Sequence, residues 1–252
     1  MIRAWQQVFA QAARFALLCP LLFLVPLVAE LVQHWAEVHV GMYDSLAMAK
    51  AVEHDPLRMG IGHIKVFALF LIGYWAMRFF AFGNDTTEAT RWDGRAVRLF
   101  AGVVAWGLFW LVVIQDGPML ATALGVPERP LAFAALGLVL FSMFFETCLS
   151  PWKAAAAVGN ARIGFFRSIA MIRGSFWWAT ALLLLTVLPL LVLHYVLAFV
   201  AIGKAGAALW AVLAIDSLLT SYLGVVMIAQ TWIVAERGAR RHGEQLLPNS
   251  SA

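Results

Sequence analysis

Six apolar stretches, roughly residues 15–37, 66–83, 98–115, 130–150, 176–202 and 207–234, decide what this chain can become. About 20 mostly apolar residues cross the hydrocarbon of a bilayer, so each stretch can span, the second and third with little tilt. The runs are continuous and do not alternate at every second residue, which predicts helices and argues against a barrel. Composition agrees, since 63% of the 252 residues are apolar, 13% are Asp, Glu, Lys or Arg, and the mean hydropathy is +0.83. Soluble domains carry charge on roughly a quarter of their residues, so too few polar groups exist here to cover a water-exposed globule. The expected fold class is all-α: a polytopic membrane protein with six transmembrane helices over residues 1–235 and a polar tail, 236–252, helical only at its start and otherwise disordered.

Basic residues set the orientation. With the N terminus in the cytoplasm, Arg3, Arg14, Arg78, Arg91, Arg95, Arg98, Lys153, Arg162, Arg167, Arg173, Arg237, Arg240 and Arg241 fall inside, and Lys50, Arg58, Lys65, Arg129 and Lys204 fall outside. The positive-inside bias then predicts both termini in the cytoplasm of a bacterial inner membrane. Arg3 and Arg14 ahead of an apolar run resemble a secretory signal, but the run continues past Pro26 without a small-x-small cleavage site, so an uncleaved first span is expected. No block of like charge suggests a nucleic-acid partner. Cys19 and Cys148 both lie in apolar stretches and read as free thiols.

The connections differ in character. Residues 38–65 have room for a short helix from about Asp44 to His54, ended by Asp55-Pro56. Residues 116–129, with Gly117-Pro118 and Pro127, read as an irregular loop. Asn84 to Thr87 offer capping oxygens for a helix on which Arg91, Arg95 and Arg98 recur at i, i+4 and i+7 and share a face. After Pro151, Phe165, Ile169, Ile172 and Phe176 fall in one arc with Arg167 outside it, the pattern of an interfacial amphipathic helix. With Arg162, Arg167 and Arg173, these arginines are expected to contact anionic lipid head groups on the cytoplasmic side, at about 1 kcal/mol each.

Ionisable groups inside spans cost at least about 2.5–3.5 kcal/mol near the bilayer centre and need partners or water. Glu30 and His34 on the first span, His194 on the fifth and Asp216 on the sixth are four such groups, and the first two share a helical face. Two readings stand side by side. In one, the four form a polar pocket that binds a cation or head group or passes protons. In the other, Glu30 and His34 are hydrated near the interface and Asp216 alone is deep, bonded to Ser217, Thr220, Ser221 or His194. Arg78 and Glu146 lie at similar depth on the second and fourth spans and are expected to form a structural ion pair. His39, His54 and His63 read as surface histidines. No close-spaced ligand motif points to zinc, iron or haem, and neither metal nor cofactor is expected. No nucleophile, phosphate-loop or paired-carboxylate motif suggests an enzyme.

Arg167-Ser168 followed by Arg173-Gly174 and Trp177 resembles the entrance to a span in bacterial six-helix proteins of the YciC kind, and in the membrane domain fused to some glycerophosphodiester phosphodiesterases. The likeness covers about 20 residues. It implies an inner-membrane protein of envelope or lipid homeostasis, without the phosphodiesterase chemistry. The expected function is non-enzymatic engagement of lipids or partner membrane proteins, a second copy of the chain included. A small transporter or channel built on the four intramembrane groups, and a membrane subunit of a metal or redox enzyme, are the alternatives.

Overall fold

The computed structural model describes the backbone of residues 1–248 and, within it, every side chain except those of residues 128–130 and 132. Among these residues the regular structure is all helical. An amphipathic α1 (Ile2–Leu18) buries Val8, Ala12 and Phe15 and stops at Cys19. Pro20 forces this stop, because the residue before a proline is driven out of helical geometry while proline itself, lacking an N–H, is tolerated in a first turn. The first span, α2 (Pro20–His39), therefore begins five residues later than expected and places Glu30 near its middle.

Ser45, not Asp44, caps the short α3 (Leu46–Ala51), its hydroxyl accepting from the Met48 amide. Asp55-Pro56 then opens α4 (Pro56–Ala81) instead of closing the helix before it, with Asp55 Oδ1 accepting from the Leu57 and Arg58 amides. The helix expected to carry three arginines is broken. Asp85 caps a five-residue α5 (Thr86–Thr90), and Asp93 caps a fresh helix, α6 (Gly94–Leu111), by accepting from the Arg95 and Ala96 amides. Arg91 ends one helix while Arg95 and Arg98 belong to the next.

The loop expected at 116–129 is largely helical. After α6 the chain widens into a π-turn at Val112–Asp116 and continues as α7 (Gly117–Ala123), with Pro118 in the first turn, where it costs nothing. A long α8 (Glu128–Cys148) meets α9 (Ser150–Ala157) at a bend of 56° measured from Phe133. Then come α10 (Phe165–Ile172), α11 (Phe176–Ala201) and α12 (Gly206–Arg241). Five helical segments, α2, α4, α6 with α7, α11 and α12, are long and apolar enough to cross a membrane, and the bent pair α8 and α9 makes a sixth. Large apolar side chains stand exposed along them, Leu21 at 79% and Phe199 at 69% among them. Water does not tolerate so much contiguous greasy surface, whereas lipid does. The protein is thus a multi-pass integral membrane protein by helix length and surface chemistry.

The helices gather into two compact units. The first contains Met1–Ala76 and Leu182–Gln230. Within it Ser221 donates to the Phe23 carbonyl, Tyr222 to that of Phe9, and the Trp5 indole to that of Leu185. Tyr43 packs with Ala201, Leu209 and Leu213, and its carbonyl accepts from the Gly203 amide. At Gly224 any side chain would meet Leu69 at 2.7 Å, so glycine lets α12 approach α4 closely.

The second unit contains Met77–Ala181 and the chain from Thr231 onward. Ser168 ties α10 to the bend between α8 and α9, accepting from the Trp152 amide and donating to the Cys148 carbonyl. The tail beyond Arg241 is folded up to residue 248, contrary to the disorder expected of it. The buried amide of Asn160 donates to the carbonyls of Gln245 and Leu246, Glu244 pairs with Arg167, and Leu246 is buried.

Candidate functional site

A polar cluster occupies the first unit, and it is built from α2 outward. Glu30, His34 and Glu37 follow one another at spacings of four and three, so one stripe of α2 carries all three, with Gln33 beside it. All four are buried. Opposite them α12 brings Asp216, which is fully buried, and α11 brings His194. His34 is the hub. Its Nδ1 donates to Glu37 Oε2 at 2.9 Å and lies 3.0 Å from the Tyr43 hydroxyl. Its Nε2 lies 3.2 Å from Asp216 Oδ2 and 3.8 Å from Glu30 Oε1. The other oxygen of Asp216 is 2.8 Å from His194 Nδ1, which also meets the Thr220 hydroxyl at 3.1 Å.

Basic and neutral donors surround Glu37 and Glu30. Tyr43 donates to Glu37 Oε2 at 2.6 Å and Gln33 to Oε1 at 3.0 Å, while Arg58 Nε is 3.4 Å from Oε1. Lys65 Nζ reaches both oxygens of Glu30, at 3.3 and 3.2 Å. Burial, and then the adjacent Glu37 carboxylate, pushes the Tyr43 phenol far above its ordinary value, which keeps it a hydrogen-bond donor. Three carboxylates thus face two basic side chains, Lys65 and Arg58, with two imidazoles between them. These groups are sealed to different degrees, with His194, Lys65 and Arg58 showing 22–24% side-chain exposure and Glu30, His34 and Asp216 almost none.

The structure brings together Glu30, His34, His194 and Asp216, which are the four intramembrane groups singled out in the sequence. Asp216 is bonded to His194, and Glu30 and His34 are buried. Glu37, Tyr43, Gln33, Lys65 and Arg58 escaped the sequence reading. The α2 spacing could have found Glu37, and nothing local points to the others. Glu30, His34 and Asp216 each offer one ligand atom, all within 4.8 Å of one another. A ligand set assembled from residues 182 positions apart (216 minus 34) leaves no close-spaced motif. His39 and His54 are exposed, with His39 stacked on Trp35.

In the second unit, Arg78 and Glu146 have found different partners from those expected. The Arg78 guanidinium donates to the carbonyls of Glu88, Ala89, Arg91 and Ala157 and lies 3.8 Å from Asp93. Glu146 pairs with Lys153 and accepts from the Trp106 indole. Position along a span does not specify the angle at which each helix presents its side chain, and the ends of α5 and α9 supply unpaired carbonyls. Arg91, Arg95, Arg98, Arg162, Arg167 and Arg173 are all exposed. Arg95 and Arg162 line a pocket of about 300 Å³ with Asn160, Glu244 and Gln245. Of the residues behind the noted resemblance, Ser168 staples the bend, and Gly174 leaves room for the Arg241 guanidinium, 3.2 Å from where a Cβ would stand. No protein-family model matches the chain, nor does any curated protein or solved structure.

Proposed function

We propose that the protein is a non-enzymatic, multi-pass protein of the bacterial inner membrane, both termini cytoplasmic, that binds a cation within the bilayer and passes it as a small transporter or channel. One observation carries this reading: Glu30, His34, His194 and Asp216, contributed by three apolar helices, converge in the first unit. Helix packing alone is served by apolar side chains, so a set of ionisable groups held at this cost has a functional default. Partly exposed His194, Lys65 and Arg58 border the sealed acids. The test is uptake by proteoliposomes of a panel of cations (H⁺, Na⁺, K⁺, Mg²⁺, Mn²⁺, Zn²⁺), read with internal dyes. At least one cation should enter well above the protein-free background, and Asp216→Asn, eluting as a monodisperse helical protein, should return uptake to background. Undiminished uptake in that variant refutes the reading.

A second reading concerns the other unit. All six arginines expected to meet lipid are exposed, and two of them line the pocket closed by the tail. We infer that this unit holds anionic head groups at the cytoplasmic surface, and that Arg91, Arg95 and Arg98 changed together to Gln will retain less anionic lipid in native mass spectrometry.

A further inference from the structure

We propose that Glu30, His34 and Asp216 form a site for a divalent transition-metal cation of the zinc and manganese class, with Lys65 as a tethered competitor for the same carboxylate. The proposal rests on the cation-binding reading above and names the cation.

Geometry speaks first. Zinc binds histidine nitrogen and carboxylate oxygen at about 2.0–2.2 Å, so neighbouring ligand atoms of a tetrahedral site stand roughly 3.3–3.6 Å apart. His34 Nε2 stands 3.2 Å from Asp216 Oδ2 and 3.8 Å from Glu30 Oε1, and all three ligand atoms lie within 4.8 Å. These two spacings bracket the tetrahedral value, and a small inward movement of Glu30 brings the set to coordination spacing. A second observation is independent of the clustering. His34 is 2% exposed, and neither its Nε2 nor the fully buried Asp216 Oδ2 that it faces has a hydrogen-bond partner. The two atoms face each other at 3.2 Å, and one cation between them, reached also by Glu30, satisfies both.

The surroundings are those of a metal-ligating histidine. Such histidines donate their second ring N–H to a carboxylate, which fixes the ring and leaves the other nitrogen free to coordinate. His34 Nδ1 donates to Glu37 Oε2, and Glu37 is held in turn by Tyr43 and Gln33. Asp216 Oδ1 is likewise held by His194. One nitrogen and two oxygen donors suit borderline divalent ions. They disfavour copper(I), which wants sulfur, and the alkali ions, which gain nothing from imidazole.

Lys65 explains how so acidic a set stays stable without the metal. Its ammonium lies on Glu30, and at 22% side-chain exposure it can swing away on its flexible stem. Metal and ammonium therefore exchange at one carboxylate.

The full-length protein in nanodiscs, freed of metal with chelator, is titrated with Zn²⁺ by calorimetry and with Co²⁺ by visible absorption. One equivalent should bind, with a visible cobalt band. His34→Gln and Asp216→Asn should each weaken binding at least tenfold, and Glu37→Gln about 10–100-fold through loss of the positioning bond. Lys65→Met, which removes no ligand, should tighten binding several-fold. If the ligand variants do not fold, Lys65→Met and the cobalt spectrum of the wild type still decide. Absence of a stoichiometric site, equal affinity in folded His34→Gln, or no gain from Lys65→Met overturns the proposal. Uptake of Na⁺, K⁺ or H⁺ that depends on Asp216 without any zinc binding would overturn the metal and leave the transport reading standing. Zinc binding at these residues without uptake of any cation would do the reverse.

Discussion

Tyr43→Phe removes a single hydroxyl from the buried cluster. The substitution removes the hydroxyl that donates to Glu37 Oε2 at 2.6 Å and leaves the ring against Ala201, Leu209 and Leu213. A hydrogen bond to a charged acceptor contributes about 1.5–3 kcal/mol, and no cavity accompanies its loss. Near pH 7.5 the variant should be less stable by that amount, lowering the melting temperature by about 3–12 °C. Unfolding in mixed micelles, followed by circular dichroism, reads the difference. The pH dependence adds a second constraint. The groups facing the phenol are Glu37 and His34, with Asp216 and Glu30 further off. Its folded pKa lies above the unfolded value of about 10, so the folded state holds a proton that the unfolded state sheds. The contribution is complete below pH 10 and falls as pH rises past it, by about 1.4 kcal/mol at pH 11. Wild type should therefore lose stability faster than Tyr43→Phe between pH 10 and 11. A variant within about 0.5 kcal/mol of wild type at pH 7.5, or parallel alkaline losses in the two proteins, refutes the role assigned to this hydroxyl.

Two further outcomes concern the second unit. Arg78→Met strands the carbonyls of Glu88, Ala89, Arg91 and Ala157 and should destabilise by about 3–5 kcal/mol; a melting curve in detergent that matches wild type would show that those carbonyls do not depend on the guanidinium. Asn160→Ala removes both bonds to the tail and should speed proteolysis around Leu246 about tenfold while leaving the melting of the spans unchanged; an unaltered cleavage rate would mean that the Arg167–Glu244 pair and Leu246 suffice to hold it.

The membrane character of the chain was legible because hydropathy depends on composition over 20 residues and hardly on detail. Helix ends were less legible, and prolines and aspartates account for most of the differences. Pro20, Pro56 and Pro118 each begin a helix where they can equally be read as ending one, and Asp93 starts a new helix inside what periodicity joins into one. The four intramembrane groups could be found because an ionisable residue in an apolar run stands out wherever it sits. Their companions could not. Tyr43 reaches the cluster through a turn at Gly41, whose φ of +77° falls in the left-handed region, and Lys65 through a helix whose rotation no sequence pattern fixes. The same blindness to rotation produced the Arg78–Glu146 pair, since each side chain leaves its helix toward other partners.

The polar cluster joins the first membrane helix to the last, and that separation has a consequence for biosynthesis. Asp216 is translated 182 residues after His34 (216 minus 34), which at about 5–20 residues per second is a delay of roughly 10–40 s. Throughout that interval the nascent α2 can meet Tyr43, Arg58 and Lys65, but His34 Nε2 lacks the carboxylate it will face. The ribosome thus delivers the hub of the cluster early and its last partners, His194 and Asp216, late. A chain halted before Asp216 leaves α2 without its counterpart, a natural target for membrane quality control.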